Sequence, residues 1–492
     1  MSAPFIWIVI PLAVAGVLFA FRRWRRVVAL VAAGFCLLLA YAAWQLPINA
    51  PLEGASLSVK ISDTLSLLGR NFVLGESDRP FLAGMYLMFA FWLAGSLFAR
   101  VSRLFVPVAL GIFVLLIAAL AVEPFLYAAL LIEIVVLVSV PLLSPPGQKP
   151  GQGIFRFFIF QTFGMPFILF VGWMLAGVEA SPGALDLVVR AAVLLALGFS
   201  FLLALFPFHS WIPMLAEEAH PYAVAFIFLM LPGVVALFGL GFLDRYAWLR
   251  DSAAVYDLLR VMGGLMVVLG GLWAAFQENL GRMLGYAAML EIGLALLAVS
   301  VEGMTGLEIF FALLAARSTA FVVWGIMLSR MRYLSQGDLS FTGVRGLGLR
   351  YPFLSVTLVL AHLSLSGLPL LAGFPVRLAL WNALAPDYLA AAIWMLIGLF
   401  GFMVAGLRTL GVFFIGTEAD NATLLEMIDQ DQGPLADEAA LQVDIPPAAY
   451  NSPAWFVFYG FTWVVLFTVG IFPQLYFRLL ADLPNMFTQL LP

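Results

Sequence analysis

Two glutamates of this sequence have the chemistry to carry protons through an apolar environment. Glu133 lies in the middle of the apolar run 127–136, and Glu291 lies within a similar run, 284–293. A glutamate side chain is too short to reach the membrane surface from mid-span, so it must be paired, protonated or in contact with water. We predict that both belong to a proton path. The alternative for each is a static ion pair.

The histidines are the second group of residues suited to proton transfer, because imidazole titrates near neutral pH. His209 and His220 are eleven residues apart, with Glu217 and Glu218 between them. His362 lies in a separate apolar run. We place all three histidines on the predicted path. The alternative is a capping histidine that hydrogen-bonds to backbone groups freed by a helix break.

The cations within apolar runs are arginines. Arg317 and Arg377 lie within or beside such runs, and both stay charged because arginine is not deprotonated in proteins. They can therefore tune a carboxylate or order water, but they cannot relay a proton. Of the 24 basic residues only Lys60 and Lys149 are lysines, and neither is in an apolar run.

The composition requires a lipid environment for these groups. Of the 492 residues, 64% are hydrophobic and 11% are charged, whereas soluble domains are about half apolar and a quarter charged. This excludes a soluble enzyme, and a net charge of −4 excludes a nucleic-acid binder. With a single cysteine, Cys36, we expect no metal site and no cofactor on this chain. Iron–sulfur, flavin or quinone groups are expected only on partner subunits.

Apolar runs long enough to cross a bilayer occur along the whole chain. A membrane helix needs roughly 20 mostly apolar residues. The sequence predicts an all-α polytopic membrane protein of about fourteen transmembrane helices, at about 4–21, 27–46, 80–98, 104–122, 124–143, 153–178, 185–206, 221–243, 256–276, 283–301, 305–329, 353–375, 387–415 and 453–477.

Two of these spans contain helix-breaking residues. Pro207 and Pro213 flank the end of the seventh span, and Gly367, Pro369 and Gly373 interrupt the twelfth. Interrupted helices at membrane depth are typical of transport paths. Because the breaks are five spans apart, they indicate two inverted five-helix repeats; unrelated proline kinks are the alternative.

The repeats divide the chain into five predicted segments. They are a three-helix segment (1–103), a first repeat of spans 4–8 (104–243), a second repeat of spans 9–13 (256–415), an acidic loop (416–452) and a final span (453–492). Arginine-rich loops are expected on the cytoplasmic side, which places both termini outside and the acidic loop in the cytoplasm. The loop is interpreted as solvated, with a docking surface as the alternative.

The motifs at the breaks carry a resemblance to a known family. Residues 206–213, FPFHSWIP, resemble the P-[FL]-H-[ST]-W-L-P signature of the antiporter-like membrane subunits of complex I, membrane-bound hydrogenases and Mrp-type cation/proton antiporters. Residues 277–286 and 367–374 are similar to two further motifs of that family. The resemblance implies fourteen spans with inverted repeats, other membrane and peripheral subunits as partners together with lipid, and a prokaryotic cytoplasmic membrane.

The resemblance also shows where this chain departs from the family. The family's mid-membrane chain uses a span-5 glutamate, which Glu133 matches, and lysines in spans 7, 8 and 12. Those lysine positions correspond here to Leu202, Gly233 and Arg377, while Arg317 and Glu291 replace a lysine and a histidine of spans 11 and 10. Proton shuttling by lysine is therefore excluded in this chain.

Three functions remain open from the sequence. The first is a proton-translocating subunit of a complex I-like or hydrogenase-like respiratory complex, working through carboxylates, histidines and water. The second is a non-conducting structural subunit of such a complex. The third is a subunit of an Mrp-type cation/proton antiporter.

Overall fold

The computed structural model describes residues 2–50, 60–144, 150–180, 185–416 and 453–490. Lys149 and nearly all of the predicted acidic loop, 417–452, lie outside the described residues. The described chain is predominantly helical. This follows from the composition, because a backbone in lipid must satisfy its own hydrogen bonds within each span.

The described residues of the first half of the chain form ten α-helices, and the first of them continues a π-helical turn at Phe5–Val9. The ninth helix begins with Pro221. Proline has no backbone N–H, and it is tolerated here because an N–H at the first position of a helix would have no partner within that helix. The ten are α1 (Ile10–Ala20), α2 (Arg25–Gln45), α3 (Arg79–Gly95), α4 (Phe105–Ala121), α5 (Ala128–Leu143), α6 (Gln152–Ala180), α7 (Leu185–Leu202), α8 (Trp211–Glu218), α9 (Pro221–Arg245) and α10 (Ala247–Arg250).

Another ten α-helices are formed by the residues of the second half that the structure describes. The Asn279 side chain caps the second of these, because it accepts hydrogen bonds from the backbone N–H groups of Gly281 and Arg282. The ten are α11 (Ala253–Phe276), α12 (Leu280–Val299), α13 (Met304–Leu334), α14 (Phe341–Val344), α15 (Leu347–Arg350), α16 (Pro352–Ser366), α17 (Phe374–Leu384), α18 (Leu389–Phe414), α19 (Pro453–Ile471) and α20 (Gln474–Leu480).

The helices pack around a buried centre formed by α9, α12 and α13. Helix α8 packs against α6 and α12, α13 packs against α9 and α16, and α11 packs against α12 and α18. Large apolar side chains on the outer helices, such as Trp173 and Phe400, are exposed as expected for contact with lipid. The two halves of the chain therefore meet along the central helices.

Both predicted helix breaks are present as interruptions between helices. Helix α7 ends at Leu202 and α8 begins at Trp211, with Ala204 at φ +51° in the interruption. Helix α16 ends at Ser366 and is capped by Gly367 at φ +78°, a left-handed conformation that glycine adopts without strain.

The number of spans is only partly settled. Among the described residues, eight helices are long and apolar enough to cross a membrane. The number is nine if α19 and the segment after it, which are bent by 79° relative to each other, together form one further span. Several of the fourteen predicted spans coincide with shorter helices; α3 and α4 have 17 residues and α16 has 15. The count of fourteen and the inverted repeats stay predictions.

The all-α prediction missed one small β-sheet. Strands β1 (Thr64–Leu67), β2 (Arg70–Val73) and β3 (Val122–Glu123) form an antiparallel sheet in the order β1-β2-β3. The sheet is made from residues between helices, where short strands of four residues or fewer leave no clear alternation in the sequence.

Candidate functional site

Glu291 and Arg377 form an ion pair in the interior of the second half. Arg377 Nη2 donates to Glu291 Oε1, and the two side chains are only 3% and 2% exposed. Arg377 Nη1 also donates to the carbonyl oxygen of Gly373, at 3.0 Å. Within the described part of the chain, Glu291 Oε2 has no hydrogen-bond partner. The structure thus joins one predicted proton carrier to one predicted tuning residue.

The second helix break makes room for the Arg377 side chain. A Cβ atom at Gly367 would lie 2.7 Å from Arg377 Cδ. A Cβ atom at Gly373 would overlap the Ser364 carbonyl oxygen and the Arg377 guanidinium. The two glycines predicted as helix breakers therefore also allow the arginine to lie against the backbone.

Arg317 is a second buried cation near this pair. It lies on α13 with 3% exposure, and its Nε and Nη2 atoms have no hydrogen-bond partner. Its charge interacts with that of Glu291. A Cβ atom at Gly233 would lie 2.9 Å from Arg317 Nη2. The guanidinium thus occupies space that a larger side chain at Gly233, on α9, would fill.

Glu133 has a different environment from Glu291. It is half-buried on α5, and Thr162 Oγ1 on α6 donates to Glu133 Oε1 at 2.8 Å. Glu133 Oε2 is buried without a hydrogen-bond partner. Within the described residues no arginine or lysine nitrogen lies within 4.0 Å of this carboxylate. Glu133 is therefore held by a neutral hydroxyl and not by a cation.

Gln161 is a polar residue of the interior that the sequence analysis missed. It is 1% exposed, its Nε2 donates to the Leu202 carbonyl oxygen at 3.0 Å, and its Oε1 has no partner. Gln161, Trp211 and Ile292 line a cavity of about 10 Å³ beside the first helix break, close to the smallest volume that holds one water. The adjacent polar pair Gln161–Thr162 within an apolar span was the available signal.

His209 lies in the first break and His220 lies between α8 and α9, and neither has a carboxylate partner among the described residues. The Nδ1 atoms of both are buried and unpartnered, and His209 stacks on Phe206 with ring centroids 5.8 Å apart. His220 lies just before α9, outside the span. Burial and the charges of Arg332 and Arg25 lower the pKa of His220 to about 4.

The glutamates near these histidines make contacts of their own. Glu217 accepts a hydrogen bond from Arg282 Nε at 2.6 Å, and Glu218 accepts from the Gly153 backbone N–H at 2.9 Å. Both contacts join α8 to a neighbouring element, α12 or the start of α6. Glu217 and Glu218 therefore connect the segment after the first break to its neighbours.

His362 lies in an aromatic environment on α16. Its Nε2 donates to the Phe402 carbonyl oxygen at 2.9 Å, the only role open to a nitrogen facing a carbonyl. Its ring stacks on Phe402 at 4.2 Å and lies 4.8 Å from Trp324. Its Nδ1 is buried without a partner. The described contacts do not join it to Glu291.

The predicted site residues thus fall into separate groups. Glu291, Arg377 and Arg317 are together in the second half, whereas Glu133 and Thr162 are in the first. No three His, Cys, Asp or Glu side chains that could hold a metal ion come together in the described ranges. The absence of cofactors on this chain stays a prediction.

Comparison with known proteins decides the family. The family model described as NADH:quinone oxidoreductase/Mrp antiporter, transmembrane, matches residues 82–405, well over half of the chain. The chain belongs to this family. It is therefore an integral membrane protein of the antiporter-like type, as the motifs at the two helix breaks predicted.

Sequence relatives within the family match parts of the chain. NADH-quinone oxidoreductase subunit N of Ectopseudomonas mendocina is 29% identical over 275 residues, which cover 53% of each chain. Subunit 14 of the Thermus thermophilus enzyme is 28% identical over 282 residues, covering 56% of this chain and 60% of the relative. The chain thus aligns with little more than half the length of these relatives.

Solved structures of family members share the fold over nearly the whole chain. A chain of respiratory complex I from Thermus thermophilus with bound NADH superposes with a TM-score of 0.70 at 20% identity, covering 98% of this chain and 100% of that one. A chain of the Mrp complex from Dietzia sp. superposes with a TM-score of 0.75 at 17% identity, covering 100% and 99%. Chains of two differently named complexes therefore share the fold of this protein.

Proposed function

We propose that this protein is a proton-translocating membrane subunit of a multi-subunit respiratory complex of the complex I type. The observation that carries the proposal is the environment of Glu133. A half-buried carboxylate with a hydroxyl on one oxygen, no partner on the other and no cation in contact can gain and lose a proton without breaking an ion pair.

In the first half of the chain, Glu133 would be the group that gains and loses a proton, and Thr162 would be its hydrogen-bond partner. The Thr162 hydroxyl orients the carboxylate, and it can accept as well as donate a hydrogen bond when Glu133 is protonated. The Oε1 atom of Gln161, the residue next to Thr162, has no hydrogen-bond partner among the described residues, and in the proposal it would bind a water on a route from this carboxylate toward the first break. His209, at that break, would exchange the proton with the route.

Glu291 would exchange a proton only in a state in which Arg377 has moved away from it. Separating a buried ion pair leaves an uncompensated charge, and Arg317 supplies a second positive charge that reduces this cost for Glu291. We therefore propose that the pair is a gate, held closed in this state and positioned by the second break. In the proposal, His362 also carries protons in this half. Its Nδ1 atom, which has no partner among the described residues, would accept the proton.

A role of His220 in proton transfer would likewise require a conformational change. With its pKa near 4, His220 is neutral at pH 7 in this state. Burial is the largest cause of this low pKa, so His220 would carry a proton only in a state in which it is hydrated and Arg332 or Arg25 has moved. Arg332 donates to the Ala219 carbonyl oxygen at 2.6 Å, so such a movement would also release the residue that precedes His220.

The remaining assignments follow from the family and the sequence. The two inverted repeats, 104–243 and 256–415, would each contain one interrupted helix and one interior glutamate, Glu133 on α5 and Glu291 on α12. Partners would be other membrane and peripheral subunits, which would also hold any iron–sulfur, flavin or quinone group. The chain would lie in a prokaryotic cytoplasmic membrane with both termini outside.

Proton flux in liposomes containing the purified native complex tests the proposal. The wild-type complex is expected to acidify or alkalinise the lumen when turning over, without a need for Na⁺. Co-purification with quinone-reductase or hydrogenase subunits is expected in the same preparation. Flux that requires Na⁺ would instead assign the chain to the cation/proton antiporters of the family.

A non-conducting structural subunit is the second candidate, and the Glu291–Arg377 pair favours it. A carboxylate that stays locked to an arginine contributes fixed charge and no proton transfer. Under this alternative, the Glu133→Gln and Glu291→Gln complexes assemble and pump like the wild type. Under the proposal, at least the Glu133→Gln complex loses flux while its assembly is unchanged.

A further inference from the structure

Arginines from three separate parts of the chain line one pocket at an end of the helix bundle. The pocket has a volume of about 330 Å³, within the range of small-ligand sites, which is roughly 300–1,000 Å³. Two serines, Ser96 and Ser102, also line it. Its arginines are Arg22, Arg25, Arg26, Arg100, Arg103 and Arg330, and we call it the arginine pocket.

The charges of the arginine pocket are not balanced by its own lining. None of its lining residues is acidic. In the described ranges no ion pair joins a carboxylate to Arg22, Arg25, Arg26, Arg100 or Arg103. The like charges of Arg103 and Arg100 act on Arg25. Such a concentration of positive charge attracts an anion.

Several of these arginines are held in place by neutral groups. Arg25 donates to the Val101 carbonyl oxygen, and Arg22 donates to the Phe19 carbonyl oxygen at 2.9 Å. The Arg100 guanidinium stacks 3.8 Å from the centre of the Tyr333 ring. These contacts fix the directions of the guanidinium groups and leave their charges uncompensated, so the pocket is organised before an anion binds.

The arginine pocket lies where helices enter or leave the bilayer. Arg22 follows the end of α1, Arg25 begins α2, and Arg100 and Arg103 connect α3 to α4. Arg330 lies in the last turns of α13. Because these helix ends meet at one end of the apolar helices, we expect the pocket to lie at the depth of lipid headgroups, where basic pockets between helices bind phosphate-bearing lipids.

From this arrangement we infer that the arginine pocket binds a phosphate group, presented by an anionic phospholipid headgroup or by a soluble phosphate. Guanidinium groups match phosphate oxygens with paired N–H donors, and lysines bind as point charges. The abundance of arginine in this pocket fits phosphate recognition. Neither Glu133 nor Glu291 of the proposed proton path lines this pocket. His220 is connected to the pocket through the charge of Arg25.

Native mass spectrometry of the purified full-length chain tests the inference. Wild type is expected to retain an anionic phospholipid, or to bind inorganic phosphate added in zwitterionic detergent. Retention of phosphatidylglycerol without phosphate binding identifies the lipid as the source, and comparable affinity for both identifies a soluble anion. The Arg26→Gln/Arg103→Gln variant is expected to bind roughly fivefold more weakly for each arginine removed.

Two variants make the result specific to the pocket. Arg23→Gln removes a charge from the same segment, but Arg23 does not line the pocket, and this variant is expected to bind like the wild type. Arg26→Lys/Arg103→Lys keeps the charge and is expected to recover binding only in part. The inference is overturned if wild type binds neither anion, or if Arg23→Gln weakens binding as much as the double variant. Size-exclusion profiles show that all variants remain folded.

Discussion

Arg377, at the start of the helix that follows the second break, is paired with Glu291 of α12, 86 residues earlier in the chain. The break positions this contact directly, because Gly367 and Gly373 leave space for the arginine side chain. The first half has no equivalent pair among the described residues, and Thr162 holds Glu133 instead. The two interior carboxylates therefore have opposite kinds of partner.

Removing one member of the Glu291–Arg377 pair is expected to destabilise the protein strongly. The Arg377→Met variant leaves a buried carboxylate without its cation, which costs about 3–5 kcal/mol. The free energy of unfolding, measured by denaturant titration in detergent micelles, should fall by that amount. The Glu291→Leu/Arg377→Met double variant should recover most of the loss.

The surface pair Arg245–Glu123 provides the control. Its side chains are 46% and 47% exposed, and such pairs contribute at most about 1 kcal/mol. Arg245→Gln should therefore change the free energy of unfolding little. An equal loss for Arg245→Gln and Arg377→Met would contradict the account of the buried pair.

Close packing of α11 against α18 is expected to depend on glycine. A Cβ atom at Gly271 would overlap the carbonyl oxygen of Gly398, which is backbone and cannot rotate away. Gly271→Ala should lower the free energy of unfolding by about 1–3 kcal/mol. Gly411→Ala, also on α18, meets no atom within 4 Å and should be neutral or stabilising by up to about 1 kcal/mol. A neutral Gly271→Ala would show that the two helices are farther apart.

His220 is expected to make stability depend on pH below neutrality. Its pKa is about 4 in the folded protein, against about 6.5 in an unfolded chain. Between these values the unfolded state binds more protons, so its contribution to stability is complete above pH 6.5 and decreases as the pH falls toward 4. The loss is at most about 1.4 kcal/mol per pH unit. Unfolding midpoints at pH 7.5, 6.0 and 5.0 should fall less in His220→Gln than in wild type; parallel curves would place the titration elsewhere.

Thr162 is expected to affect proton transfer through its hydroxyl alone. Thr162→Val keeps the side-chain shape but removes the donor to Glu133, and hydrogen bonds to charged groups contribute about 1.5–3 kcal/mol. Proton flux in liposomes should drop roughly tenfold or more. Thr162→Ser keeps a hydroxyl and should stay within a few fold of wild type. Equal flux in the Val and Ser variants would show that this hydrogen bond plays no part.

The membrane character, the two helix interruptions and the family were accessible from the sequence. Hydrophobic runs and isolated charges such as Glu133 depend on local composition, and the motif at 206–213 is contiguous. The number of spans was less accessible, because helices such as α3 and α16 are shorter than a typical crossing and tertiary packing sets their ends.

Side-chain partnerships were the least predictable part of the site. Arg377 and Glu291 are far apart in sequence, and either could have paired elsewhere or faced water. The partner of His362, the backbone carbonyl of Phe402 on α18, is 40 residues away and leaves no signal in the sequence. Thr162 and Gln161 carry no charge, so they did not stand out in an apolar span.

Proton flux through liposomes containing the complex with Glu133→Gln tests the central claim most directly. The account predicts that flux falls at least tenfold in this variant, that Glu133→Asp restores part of it, and that Glu302→Gln, at an exposed position, leaves it unchanged. Wild-type flux from a fully assembled Glu133→Gln complex would contradict the claim that this carboxylate carries the proton.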